Sequence, residues 1–156
     1  MTAEALNPDY ESDARRTALD MPIIRFLGIQ IQDIAAGAAT VVLPARPELC
    51  YRDDLFQAGP VRTLGDYAGG LACLTCLPKG WFVSTVDFTL KMLAPARGQK
   101  LVARGRVLQS GKTLSVGAAD IYSVQQSRET LCATLLVSMR NIAPDLSRDA
   151  SRPTNP

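Results

Sequence analysis

The sequence predicts an α+β domain in which an antiparallel β-sheet wraps around one long central helix. The first observation is an almost wholly apolar segment from Pro60 to Leu77, typical of a helix that is buried on nearly all sides. The second is a series of four strand-like segments after it, with no helix-length segment between them. Parallel strands would need crossover helices, so the sheet is expected to be antiparallel.

The chain before the central helix predicts two short helices and a hairpin. Residues 1–20 are expected to form an N-terminal extension that is partly helical, with a helix over 13–19. A second helix is predicted over 22–28, because proline suits a first helical turn and glycine suits a helix end. Residues 29–36 alternate between apolar and polar side chains, and residues 38–45 contain β-branched side chains. The two segments are separated by Gly37, which predicts a β-hairpin.

The four strands after the central helix are expected to form a meander, in which each strand pairs with the next. They cover residues 81–96, 100–111, 112–126 and 129–142. The loop that leads into the central helix, residues 46–59, is expected to be irregular. The folded domain therefore spans 21–143, and 144–156 are expected to form a flexible tail, because they are polar and rich in proline.

Composition restricts the classes of partner. The chain has 156 residues, of which 47% are hydrophobic and 21% charged, as in an ordinary soluble globular protein. The net charge is only +2, and no run of basic residues is interleaved with aromatic residues, which argues against a nucleic-acid partner. No apolar run approaches the roughly 20 residues that span a membrane. The acidic N-terminal residues do not resemble a secretion signal, so a cytoplasmic location is expected.

The absence of histidine restricts the chemistry. It excludes Ser-His-Asp and Cys-His nucleophilic systems, and hydratases that need a His-Asp pair, within this chain. Acid–base work would fall to a carboxylate, Lys, Tyr, Cys or a bound water. Cys73 and Cys76 form a CxxC motif, but a zinc site would need a second cysteine pair or histidines. We therefore expect these cysteines to pack in the core, and we expect no metal or other cofactor.

Residues 56–70, FQAGPVRTLGDYAGG, place a carboxylate at Asp66 among apolar neighbours. An unpaired buried carboxylate would cost several kcal/mol or become protonated. Asp66 is therefore either a functional group or half of a structural ion pair with Arg62, one turn earlier.

Gly69 and Gly70 weaken the same helix, by about 2 kcal/mol together relative to alanine. One interpretation is that another backbone approaches closely on that face. The alternative is that they accommodate a bulky side chain such as Trp81 or Phe88.

Three blocks together resemble the PaaI-type acyl-CoA thioesterases of the hot-dog fold, over residues 23–142. They are FQAGPVRTLGDYAGGLA, STVDFTLKMLAPARGQKLVARGRVLQSGKTL and ETLCATLLVSM. The resemblance implies hydrolysis of the thioester of an acyl- or aryl-CoA without a cofactor. It also implies a homodimer, or a dimer of dimers, in which two sheets become one and the active sites lie at the dimer interface.

The resemblance also implies site residues on the central helix. Members of the family usually have His-Gly-Gly or His-Ala-Gly before this helix, and the corresponding residues here are Gln57, Ala58 and Gly59. The free N–H groups around Ala58 and Gly59 would hold the thioester oxygen as it becomes negative. Asp66 matches the family acid and would act as general base or as nucleophile.

In the family the strand after the helix often supplies a hydroxyl that holds the attacking water, and the resemblance implies this role for Thr85; the alternative is a surface or packing threonine. Ser84 is expected on the other face, and Asp87 on the same face as Thr85 but structural. Basic side chains in or beside the strand and turns that border the family site would bind the CoA phosphates. The alternative is that they are ordinary solvated charges. The predicted substrate-binding residues are Ser84, Lys91, Arg97, Gly111 and Lys112.

Two other functions fit the same residues. With Gln57 in the place of the family histidine, the chain could be a non-catalytic acyl-CoA-binding protein on the same scaffold. It could also be a purely structural partner of another hot-dog subunit.

Overall fold

A computed structural model describes residues 5–144 of the chain. The first half contains α1 (Tyr10–Asp20), α2 (Pro22–Leu27), β1 (Gln30–Ala35), β2 (Ala38–Pro44), a short 3-10 turn (Pro47–Leu49), β3 (Cys50–Arg52) and β4 (Leu55–Phe56). The second half contains α3 (Ala58–Leu74), β5 (Phe82–Met92), β6 (Lys100–Ser110), β7 (Leu114–Gln125) and β8 (Arg128–Ile142).

Six strands form one antiparallel sheet in the order β1-β2-β6-β7-β8-β5, and β3 and β4 pair separately. The sheet curves around α3, which contacts all six of its strands. The core between them is aliphatic, because Val61 and Leu64 of α3 meet Val41, Ile121 and Leu135 of the sheet, all fully buried. The predicted fold class, an antiparallel sheet around one central helix, is confirmed.

The prediction of a four-strand meander is wrong for its first strand. Strands β6, β7 and β8 do pair in succession, but β5 pairs with β8 and lies at the sheet edge. The connection from β5 to β6 crosses the ends of the two strands between them. Along it the Leu93 N–H donates to the Cys132 carbonyl at 2.8 Å, and the Gln99 N–H donates to the Val124 carbonyl at 2.9 Å. β2 occupies the place beside β6 that a meander would give to β5.

The two N-terminal helices form where they are predicted, with α1 longer at both ends. Pro22 is the first residue of α2, and Gly28 ends it with a φ of 75° in the left-handed region, where glycine is favoured. Ala14 and Ala18 bury one face of α1. The predicted tail lies outside the described residues beyond 144.

The cysteines are all free and buried, which confirms that Cys73 and Cys76 pack in the core. None of the helices found within residues 5–144 is long and apolar enough to cross a bilayer. No group of acidic or cysteine side chains in the same range is arranged to hold a metal ion.

Gly69 and Gly70 of α3 face side chains of β8. A Cβ on Gly69 would lie 2.8 Å from Val137 Cγ1, and one on Gly70 would lie 2.8 Å from Met139 Cε. The idea that a bulky side chain needs these glycines is therefore correct in kind, but the neighbours are Val137 and Met139 rather than the predicted aromatic residues.

Backbones do approach closely at the same level of α3, through glycines of the sheet. A Cβ on Gly105 of β6 would collide with the Ala68 carbonyl and the Gly69 nitrogen, and one on Gly117 of β7 would lie 3.0 Å from the Gly69 carbonyl oxygen. Glycine inside a strand is a signal for such an approach. The helix therefore lies closest to the sheet at Ala68 and Gly69.

Gly105→Ala is expected to destabilise the protein by about 3 kcal/mol or more, because relief of the collision requires α3 to move away from the sheet. Urea unfolding followed by circular dichroism measures this. Gly59→Ala is the control, since a Cβ there has no neighbour within 4 Å. Equal midpoints for the two variants would show that the helix–sheet contact is not tight.

Candidate active site

Asp66 and Thr85 are brought together from the two sides of the helix–sheet interface. Thr85 Oγ1 on β5 donates to Asp66 on α3, at 3.0 Å to Oδ1 and 3.3 Å to Oδ2. The same hydroxyl lies 3.5 Å from Met139 Sδ on β8. The carboxylate is half-buried, while Thr85 is exposed. A carboxylate is thus held in one orientation at a place that solvent can reach.

A β-bulge at Val86 decides which side chains share this face. Thr85 pairs with Met139, but Asp87 pairs with the adjacent residue Ser138, so Val86 has no partner in the register. Thr85 therefore faces α3 and Asp87 faces away, which makes the prediction of a shared face wrong. Ser84 pairs with Arg140 and lies on the face away from α3, as predicted.

The electrostatics of Asp66 do not match a structural ion pair. Burial raises the pKa of the Asp66 carboxyl, and the Thr85 hydrogen bond and the more distant Arg62 charge only partly oppose this. The Arg62 guanidinium lies over the Phe88 ring, 5.3 Å from its centroid. None of the ion pairs found within residues 5–144 includes Arg62. A carboxylate with a raised pKa is a stronger base in its ionised form.

A cavity of about 260 Å³ opens beside the Asp66 carboxylate. Leu71 and Leu74 of α3 line it, together with Val83 of β5. Its walls are mainly apolar, and Asp66 and Thr85 are at one side. An apolar chamber with a few convergent polar groups is typical of a small-molecule site.

The N-terminal extension forms a further wall of the cavity, which the sequence analysis missed. Thr17 of α1 and Met21, between α1 and α2, line the cavity. The Tyr67 hydroxyl, beside Asp66 on α3, donates to Met21 Sδ at 2.8 Å. No motif in the sequence marks either of these residues.

The start of α3 presents free backbone donors. Gln57 is the exposed residue before the helix, with φ −70° and ψ 155°, and its own N–H donates to the Leu49 carbonyl at 3.0 Å. Within residues 5–144, the N–H groups of Ala58 and Gly59 have no hydrogen-bond partner. At 1.5 Å per residue, Ala58 lies about 12 Å along the axis from Asp66. One carbonyl group therefore cannot contact both features of the same copy.

The residues predicted to bind CoA do not form one cluster within a single chain. The turn with Gly111 and Lys112 lies at the same end of the sheet as Ser84, since Leu114 and Ser84 both pair with Arg140. The Asn141 side chain fixes this turn by donating to the Gly111 carbonyl at 2.7 Å.

Lys91 and Arg97 lie at the opposite end of β5. Lys91 is six residues from Thr85, which is about 20 Å along a strand. Arg97 forms an ion pair with Asp54 at 2.6 Å. In one copy these two cations are remote from the carboxylate, and only a second copy could place them beside it.

Comparisons with known proteins place this geometry in a family. A scan against protein-family profiles finds no match. The chain is 34% identical over 116 residues to a Halobacterium salinarum protein named "Putative esterase", which covers 67% of this chain and 71% of that protein. A Saccharolobus solfataricus protein with the same description is 28% identical over 94 residues, or 60% and 66% of the two chains.

Solved structures share the fold. A thioesterase family protein of Silicibacter pomeroyi superposes with a TM-score of 0.83 at 27% identity, over 86% of this chain and 98% of that chain. The PaaI protein of the E. coli phenylacetic acid degradation operon gives a TM-score of 0.75 at 22% identity, over 89% and 97%.

The predicted resemblance is thus confirmed at two levels. The solved thioesterases share the sheet wrapped around one helix, and the H. salinarum protein shares sequence over two thirds of each chain. This chain therefore belongs to the PaaI-type family of hot-dog fold thioesterases.

Proposed function

We propose that the protein hydrolyses the thioester of an acyl- or aryl-CoA, with Asp66 as the catalytic carboxylate. The observation that supports this most directly is the hydrogen bond from Thr85 to a half-buried Asp66 beside an apolar cavity. A structural carboxylate would be expected to have a cationic partner, and Asp66 instead has a hydroxyl and an open chamber. The names of the similar proteins, thioesterase and putative esterase, agree with this reaction class.

The reaction would use Asp66 in its ionised form. As general base, Asp66 takes a proton from a water whose oxygen attacks the thioester carbon. The C–S bond then breaks, and the CoA thiolate leaves and becomes protonated. As nucleophile, Asp66 would itself attack the carbon, the C–S bond would break to release the CoA thiolate, and water would cleave the resulting anhydride to the acid and free Asp66. In either case the Thr85 hydroxyl donates to Asp66, so its oxygen can accept a hydrogen bond from the attacking water.

The developing oxyanion would bind to the Ala58 and Gly59 N–H groups of a second copy. Within one copy these donors are about 12 Å from Asp66 along the helix. Strand β5, which carries Thr85, is a sheet edge with an exposed face, where Val86 is 62% and Met92 43% accessible. Pairing of two such edges would cover them, so we propose a homodimer, alone or within a dimer of dimers.

Gln57 would orient the thioester in the place of the family histidine. Its side-chain amide can donate a hydrogen bond but cannot exchange a proton near neutrality. Among the described residues the Gln57 side chain has no hydrogen-bond partner, and it is exposed. The same feature favours the alternative, a non-catalytic acyl-CoA-binding protein.

Release of free thiol from a panel of acyl- and aryl-CoAs, followed with a thiol-reactive dye, distinguishes the two functions. We expect at least one thioester to be cleaved by the wild type and not by Asp66→Asn. Binding of acyl-CoA in a calorimeter, without thiol release from any member of the panel, would establish the binding protein instead.

Thr85→Val is expected to shift the pH dependence of kcat/KM. The wild-type profile should rise once, through an Asp66 pKa above the ordinary carboxyl value of about 3.9, and stay flat across neutrality. The Thr85 hydrogen bond lowers the pKa of Asp66, so its loss moves the rising limb to higher pH. A pH–rate series measures the shift.

Thr89→Val is the matched control, because Thr89 lies on the same strand but is exposed, pairs with Leu136 on the face away from α3 and does not line the cavity. It should leave the limb in place. An unshifted limb in Thr85→Val would mean that another group carries the proton.

A further inference from the structure

A second cavity of about 220 Å³ adjoins the one beside Asp66. The two cavities share three wall residues, which are Thr17 of α1, Leu74 of α3 and Phe82 of β5. The chamber beside Asp66 thus ends at these three side chains, and further space lies directly behind them. If the wall between the chambers opened, the volume available beyond Asp66 would nearly double.

The second chamber has a mixed wall, with an apolar side that an apolar chain could contact. Leu77 and Trp81 contribute apolar walls to it. Three of its polar side chains are already bonded to one another, because Asn7 Nδ2 donates to Asp13 Oδ2 at 2.8 Å and Arg16 donates to Asp13 Oδ1 at 2.6 Å. They therefore do not need a ligand or a water to satisfy them.

Of the three shared side chains, Thr17 is the one that can vary without disturbing the core. Leu74 belongs to the central helix and Phe82 to the sheet, whereas Thr17 lies on the extension and is half-buried. Within residues 5–144 the Thr17 hydroxyl has no hydrogen-bond partner. Alanine is also a better helix former than threonine, so truncation there should keep α1 intact.

We propose that Thr17 is the specificity-determining residue that ends the acyl cavity and sets the longest chain the protein accepts. This inference rests on the proposed function in one respect, namely that the acyl group occupies the cavity beside Asp66. The chemical class concerned is a short acyl group, since a cavity of about 260 Å³ lies at the lower limit of ligand pockets.

Calorimetric binding of S-alkyl-CoA thioethers tests this without any need for turnover. For the wild type, each added methylene should tighten binding about fourfold until the chain reaches Thr17, after which the gain stops. In Thr17→Ala the chain can pass into the second chamber. The first thioethers beyond the wild-type limit should then bind the variant about tenfold more tightly than the wild type.

Two control variants distinguish an opening of the wall between the cavities from a general destabilisation of α1. Thr17→Val keeps the branched shape and should keep the wild-type limit. Ser12→Ala changes an exposed hydroxyl on the same helix, outside both cavities, and should also keep it. The proposal would be overturned if Thr17→Ala and the wild type had the same limit of chain length, or if neither bound any thioether.

Thiol release from the matching acyl-CoAs is measured in parallel. A shifted binding limit without any hydrolysis would support the role of Thr17 and reject the proposed reaction. Hydrolysis with an unshifted limit would reject only the role of Thr17.

Discussion

Replacement of Asp66 by asparagine is expected to lower the turnover of a good acyl-CoA by about 100-fold or more, the scale of a lost general base. The amide keeps the shape of the carboxyl and can still accept the Thr85 hydrogen bond, so the fold should survive. It cannot take a proton from water or attack a thioester carbon. Steady-state thiol release, with circular dichroism to verify the fold, measures the effect.

Asp87→Asn is the matched control, because the bulge at Val86 turns Asp87 to the opposite face of the same strand. It should change turnover by less than a factor of about three. If the two variants lost activity equally, or if Asp66→Asn kept full activity, the carboxylate would be structural and the site would lie elsewhere.

The stability of Asp66→Asn provides a second measurement. Because burial raises the pKa of Asp66, the folded state binds more protons than the unfolded state between the unfolded pKa of about 3.9 and the folded one. Stability from this residue is therefore full below the unfolded pKa and is lost as the pH rises through the folded pKa. At neutral pH the variant should be at least as stable as the wild type.

Ala58→Pro is expected to lower turnover by about 100-fold as well, the scale of one lost oxyanion donor. Proline removes the Ala58 N–H and suits the first residue of a helix, and Gln57 already has the extended conformation that precedes proline. The helix should therefore persist. Ala58→Ser keeps the N–H and should retain most of the activity, and equal losses in both variants would contradict an oxyanion role.

The sequence was sufficient for the fold class, the three helices and the six strands of the main sheet, because each of these elements has its own local signal. It missed the 3-10 turn, β3 and β4, which form in the segment expected to be an irregular loop. Apolar residues on all sides mark α3, and turn residues delimit β6, β7 and β8. The place of β5 had no such signal. Its pairing with β8 depends on a connection that crosses two strands, and on β2 filling the place beside β6, both of which are long-range contacts.

Only part of the candidate site was predicted, because only some of its residues carry a signal in the sequence itself. Asp66 stood out as a charge in an apolar helix, and Thr85 followed from the family resemblance. The orientation of Asp87 could not be predicted, since the one-residue bulge at Val86 reverses the alternation after Thr85. The contribution of Thr17 was equally hidden, because it depends on how the extension packs against α3.

The central claim is that each active site combines Asp66 of one copy with the helix start of another, and subunit complementation tests it most directly. Asp66→Asn and Ala58→Pro chains, carrying different affinity tags, are co-expressed and the mixed dimer is purified through both tags. One site of that dimer contains both lesions, and the other contains neither. Thiol release per dimer should therefore recover to about half the wild-type value, although each variant alone is nearly inactive. A mixed dimer as inactive as its two parents would contradict a shared site and place all the catalytic groups within one chain.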